Sequence, residues 1–191
     1  MSNLFQNQAK DSDARKKRRA HLLKAAHALV GAKTAESFDP VHDQLCAIDV
    51  VMVAGAPWLQ DGLARDYIKD EAGYKKIGGS SNSPAMPYFF RSQQNLVHYL
   101  KRKNFYIPRG GSPTPMPGMV CFFDWEDRGR FNFKPDRSGV ILETQNDRIS
   151  QVVLARPVLA QGEPVGYRVV RLKVTLNDHM DNALIGYGDL P

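Results

Sequence analysis

Pro117-Gly118-Met119-Val120-Cys121-Phe122-Phe123-Asp124-Trp125, followed one turn later by Asp136-Arg137-Ser138-Gly139-Val140-Ile141-Leu142-Glu143, is the stretch on which the fold turns. Downstream of it, apolar residues gather in short runs bounded by turn residues. Met119–Trp125, Ser138–Glu143, Ile149–Leu154 and Tyr167–Val174 read as four strands. Upstream, past the Pro-rich turn Gly110–Gly118, apolar residues recur every three or four positions. Leu22, Leu23, Ala26, Leu29 and Val30 form one stripe and predict a helix over 13–30, with Asp11, Ser12 and Asp13 as N-cap choices and Gly31 as C-cap. A second helix is expected over Asp61–Tyr74. A third spans Ser92–Lys103, with Leu96, Tyr99 and Leu100 inward and Lys101, Arg102 and Lys103 where cations suit the helix dipole. The apolar run Leu45–Ala54, broken only by Asp49, fits either helix or strand; Gly55, Ala56 and Pro57 are expected to end it. Gly78–Pro87 reads as a loop. Helices first and strands after predict an α+β fold, N-terminal helices packed on a C-terminal antiparallel sheet. The expected organisation is a polar N-terminal arm (1–12), one domain (13–176) and an irregular tail (177–191).

The 191 residues suffice for one domain with a real core, and 42% hydrophobic with 24% charged residues is ordinary globular composition. Part of the +6 net charge sits in Arg15-Lys16-Lys17-Arg18-Arg19, which reads first as a solvated helix face and second as a nucleic-acid or anionic-surface patch. Cys46 and Cys121 make no disulfide framework, and no residues have metal-ligand spacing, so neither metal nor cofactor is expected. No apolar run reaches membrane-span length, and Lys24 and His27 interrupt Leu22–Val30, a poor signal sequence. The expectation is a protein that is cytoplasmic at synthesis and has no membrane span.

The two quoted strands with their Pro-Gly lead-in resemble those of NlpC-type peptidases and CHAP amidases, cell-wall cysteine hydrolases of papain-like fold. Those families write Pro-Gly-Asp-hydrophobic-hydrophobic-Phe-Phe. Many CHAP proteins continue through Asp-Trp and an acidic, Gly-containing turn to Asp-His-hydrophobic-Gly-Ile-Val. Here the turn is Glu126-Asp127-Arg128-Gly129-Arg130. The N-terminal half is similar to one bacterial branch of that superfamily: a helix ending in Gly31, then Thr34, then Phe38-Asp39-Pro40, and later Asn95-Leu96 on a helix. The resemblance covers residues 20 to 145 and implies the papain-like version of the α+β fold.

That resemblance implies a chemistry whose residues are missing. A papain-like hydrolase needs a cysteine at a helix N-terminus, where the dipole favours thiolate, a histidine on a neighbouring strand as base, and a polar group to orient it. The family histidine position holds Arg137, which stays protonated and cannot shuttle a proton. The branch places its nucleophile in Cys-Thr-Asp-Val-Val. Matching Asp49-Val50-Val51 to that pattern puts Ala47 at the nucleophile position; matching Cys46 shifts Asp-Val-Val by one residue. The first is preferred, because a one-residue slip turns every helix side chain by about 100 degrees. Val152–Arg156 supplies no orienting His, Asn or Asp, and the branch's Asp-His-Arg-Arg is here Phe89-Phe90-Arg91-Ser92. Ala47, Asp49 and Arg137 thus mark a vestigial site. The alternative is Cys46 as nucleophile with His42 as base. Cys121 reads as a small core residue, His21 and His27 as surface or helix-packing residues, and His98 as lying on the polar side of its helix. Phe131 and Phe133 are core residues or cap a partner surface.

Three functions follow. The first is an inactive hydrolase-fold module, a structural or binding component that contacts other proteins of an assembly, such as a phage tail or baseplate within a virion. The second is an active peptidoglycan peptidase or amidase using Cys46 and recognising stem peptides. The third, carried only by Arg15–Arg19 and Lys101–Lys103 and less favoured, is nucleic-acid binding.

Overall fold

The computed structural model describes residues 2–31, 33–35, 49–124, 135–160 and 163–191. Its helices are α1 (Ser2–Leu29), α2 (Asp49–Lys69), α3 (Glu71–Gly78), α4 (Gln93–Arg102) and α5 (His179–Ala183), with a 3-10 turn at Pro87–Arg91. Its strands are β1 (Lys33–Ala35), β2 (Tyr106–Pro108), β3 (Val120–Phe123), β4 (Arg137–Gln145), β5 (Arg148–Ala160), β6 (Glu163–Lys173) and β7 (Leu184–Gly188). They form one seven-stranded sheet in the order β1-β6-β5-β4-β3-β7-β2, every neighbour antiparallel. The α+β class and the helices-then-sheet order are as expected, and the four expected strands are β3 to β6.

Strand alternation sorts the core into two layers. Val120, Phe122, Val140, Leu142, Val153 and Ala155 face the helices and meet Leu22, Ala26, Val51, Leu59, Leu63, Leu96 and Leu100. Cys121, Phe123, Ile141, Val152 and Leu154 face the other way, with Met180, Ala183, Leu184 and Tyr187. α2 packs against α1, β4 and β5. α4 turns Leu96, Tyr99 and Leu100 inward as its spacing predicts. Its N-cap is Ser92, whose Oγ accepts from the Asn95 amide at 3.2 Å. Ser92→Ala is expected to lower stability by about 1 kcal/mol, read as a shifted urea midpoint at unchanged slope.

Four expectations about the elements need correction. The helix predicted from Asp13 starts at Ser2, so the backbone of 2–12, expected as an arm, is helical. Adding turns to a helix already nucleated over 13–29 is cheap, and cap-forming residues are tolerated inside it. Gly55-Ala56-Pro57 does not end the apolar run: α2 passes through it, which also decides helix over strand for residues 49–54. One proline removes one hydrogen bond, while Val51, Leu59 and Leu63 on either side are anchored in the core. The expected helix Asp61–Tyr74 is two helices that break at Asp70, with Tyr74 inside the second. The tail is not irregular. α5 and β7 lie in it, and β7 is an interior strand between β3 and β2. Its Leu184-Ile185-Gly186-Tyr187-Gly188 lacks a strand-like signal because two positions are glycine. A Cβ at Gly188 would fall on the Phe105 carbonyl oxygen, so the close approach of β2 demands the residue that weakens the pattern.

Gly118 has the same logic. Its φ of 84° suits glycine, and a Cβ there would collide with the Arg19 carbonyl of α1. The Pro-Gly lead-in is thus the point where α1 crosses the sheet entrance. Arg19 secures the crossing: its guanidinium lies 3.1 Å from Met116 Sδ and 3.6 Å from Asp189. Arg15 lies over the Phe105 ring at 4.6 Å and Arg18 over Trp58 at 5.8 Å. The basic run is therefore not one solvated face. Its three arginines lie against the body at helical spacing, and Lys16 and Lys17 point outward.

Candidate functional site

The sequence places its chemistry where α2 begins and where β4 begins. Cys46, Ala47 and His42 lie outside the described residues, as do Trp125, Phe131 and Phe133. Asp49 is the first residue of α2. Arg137 is the first residue of β4, half-buried, and its guanidinium donates to the Asp136 carbonyl at 3.1 Å. Gln93 of α4 donates to the same carbonyl at 3.1 Å. Arg137 pairs with Phe123 across β3 and shares its face. That is the face turned away from α2, which covers Val140 and Val153. Strand alternation thus starts the Arg137 side chain on the side of the sheet opposite the helix that would carry a nucleophile.

Cys121 is fully buried on β3, 3.5 Å from the Gly139 carbonyl. Burial pushes its thiol well above the ordinary range, so it stays protonated and unreactive.

The polar side of α4 enters a buried ionic cluster that no sequence spacing announces. Asp66 of α2 accepts from Arg102 Nε at 2.8 Å and from Tyr74 Oη at 3.1 Å, and Lys103 Nζ lies 2.9 Å from its other oxygen. Asp70 pairs with His98 Nε2 at 2.7 Å and with Arg102 at 3.1 Å. Burial raises the Asp66 carboxyl, but hydrogen bonds from Lys103, Arg102 and Tyr74 outweigh it and hold the group below its ordinary value. The bond from His98 holds Asp70 low. Burial first and Asp66 second push the Tyr74 hydroxyl far up, so it remains a donor. Asn95, part of the Asn-Leu pair, exchanges two amide bonds of 2.9 Å with Asn82 and donates to the Phe89 carbonyl at 3.0 Å. An acid and an imidazole meet here, yet His98 bonds to no hydroxyl or thiol among the described residues. The cluster fastens α2, α3 and α4 together.

The second face carries the described depression, about 200 Å³, which sequence reasoning missed. It is lined by the buried Ile149, Leu184 and Tyr187 and by the exposed Arg109, Arg148, Thr114 and Asp147. The Asn146-Asp147 turn, with φ of 50° and 59°, is a two-residue hairpin that sets Arg148 at the mouth. The Tyr187 hydroxyl shares its proton between the Gly111 and Pro113 carbonyls at 3.0 and 3.1 Å, which fixes the Pro-rich loop as a wall. Asp181 accepts from Arg109 at 3.3 Å, stands 3.9 Å from Arg148 and accepts the Asn177 amide at 3.1 Å. Arg109 and Asp181 are 72 positions apart, so no local motif could have announced the pair.

Among the described residues no group of His, Cys, Asp or Glu is arranged to hold a metal ion, and no helix is long and apolar enough to cross a membrane. No family model, curated protein or solved structure matches the chain.

Proposed function

We propose that this chain is a non-catalytic binding or structural module on a papain-like scaffold, at work inside a protein assembly such as a phage tail or baseplate. The observation that carries the proposal is Arg137. The sequence resemblance puts it at the position of the family base; its guanidinium is bound to the adjacent backbone, and its face of the sheet is the one away from α2. An arginine so held does not accept a proton at neutral pH. The papain-like reading is supported by the helices-then-sheet order, by α2 lying across β4 and β5, and by Pro-Gly feeding β3 next to β4. A fold that has lost its catalytic groups retains its surfaces, and function then resides in what those surfaces hold.

Purified chain incubated with peptidoglycan is expected to release no stem-peptide fragments, and Cys46→Ala is expected to change nothing. Release that requires a reduced thiol and disappears in Cys46→Ala overturns the proposal in favour of a cysteine peptidase. Cys121 is expected to resist iodoacetamide in the native state and to react only on unfolding, as followed by peptide mass mapping.

A further inference from the structure

The depression on the second sheet face has the chemistry of a small-anion site. Arg109 and Arg148 reach it from the Pro-rich loop and the β4–β5 hairpin, 43% and 57% exposed as side chains. One oxygen of Asp181, a carboxylate only 10% exposed, accepts from Arg109 at 3.3 Å and stands 3.9 Å from Arg148. That oxygen already accepts a backbone amide, so it neutralises neither guanidinium fully. Arg109 makes one further bond from its guanidinium, to the Asn182 carbonyl at 3.3 Å. A guanidinium presents five N–H groups in a fixed fork, so both arginines retain donors for an oxygen pair. Asp181 thus stands beside both guanidinium groups and competes for their donors, and the buried Ile149, Leu184 and Tyr187 add apolar lining.

From this geometry we infer that the depression is a binding site for a carboxylate monoanion carried on a small apolar group. Asp147 and Asp181 offset part of the charge of the two arginines, which disfavours a doubly charged phosphate more than a single negative charge. The volume is below that of pockets for drug-sized ligands, which begin at about 300 Å³, and suits one terminal residue or one short organic acid. The carboxylate takes the forks and the apolar part covers Ile149 and Leu184. A peptide's C-terminal residue and a free short-chain acid share this chemistry. The site uses neither Arg137 nor α2, so it stands independently of the papain-like reading.

The test is an NMR titration of the 15N-labelled full chain with N-acetyl-glycyl-alanine, with the same peptide as its C-terminal amide, and with butyrate. The free acid is expected to give saturable shifts at Gly110, Gly111, Ile149 and Tyr187, and the amide to bind at least about tenfold more weakly. Arg148→Gln is expected to weaken the acid by about tenfold while leaving the rest of the spectrum unchanged, because Arg148 is the more exposed of the pair. Asp181→Asn, which removes the competing carboxylate, is expected to tighten binding, a result that a purely structural ion pair would not give. Peptide binding tighter than butyrate identifies a chain end as the ligand; equal binding identifies a free acid. Equal affinity for acid and amide, unchanged affinity in Arg148→Gln, or no saturable shift with any probe overturns the inference.

Discussion

Asp66→Ala is expected to lower the unfolding free energy by about 3 kcal/mol, the low end of the range for breaking a buried ion pair. Asp66 is 1% exposed and serves three partners at once: Arg102, Lys103 and Tyr74. Its removal leaves a buried phenol without that acceptor, Lys103 without that counter-charge, and Arg102 with Asp70 in place of two carboxylates. Arg102 and Lys103 are each 33% exposed and can turn toward water, which places the loss at the low end. Asp66→Asn, which keeps the shape and an acceptor for Tyr74, is expected to lose less. Thermal and urea unfolding at neutral pH measure both. The cluster also sets an acid limit. Asp66 and Asp70 are held below their ordinary values, so the unfolded chain takes up protons first as pH falls. Their contribution is whole at neutral pH, starts to fade near the ordinary carboxylate value of about 4, and is gone below the lowered folded values. The gap between parent and Asp66→Ala is therefore expected to narrow on acidification. A gap that stays constant down to strong acid would show that the carboxylate charge is not what stabilises the cluster.

Gly118→Ala is expected to be comparably damaging, by about 3 kcal/mol, through two additive strains. The residue keeps a left-handed φ of 84°, and its new Cβ would meet the Arg19 carbonyl of α1. Relief requires moving either the helix or the β3 lead-in. The Arg19 contacts to Met116 and Asp189 oppose such a shift, since they fasten α1 to the same place. Unfolding should show the loss, and amide exchange should accelerate first at the α1–loop crossing. A loss below about 1 kcal/mol would mean that α1 yields easily there.

Where one face or stripe is apolar, the sequence is readable. Leu96, Tyr99 and Leu100 reveal α4, and the alternation around Phe122 and Val140 reveals β3 and β4. The signal weakens where backbone geometry overrides side-chain pattern. β7 needs glycines at 186 and 188 to let β2 approach, so an interior strand reads as a tail. Pro57 reads as a stop, but the buried turns on both sides carry α2 through it. The candidate site was legible as a list of residue types. The position of Arg137 follows from the strand, but its face depends on register against Phe123, which only pairing reveals. The carboxylate pocket was invisible, because Arg109, Arg148 and Asp181 reach it from three separate segments.

Among the described residues, β2 is held in the sheet only by β7, and β7 alone covers the edge of β3 that β4 leaves free. A polypeptide emerging from the ribosome therefore presents Val120-Cys121-Phe122-Phe123 as an open, apolar edge until residues 184–188 have been made. Such an edge is a template for pairing with another chain. Any product halted or clipped between Lys173 and Leu184 would retain that edge, and aggregation rather than mere loss of stability is its expected fate.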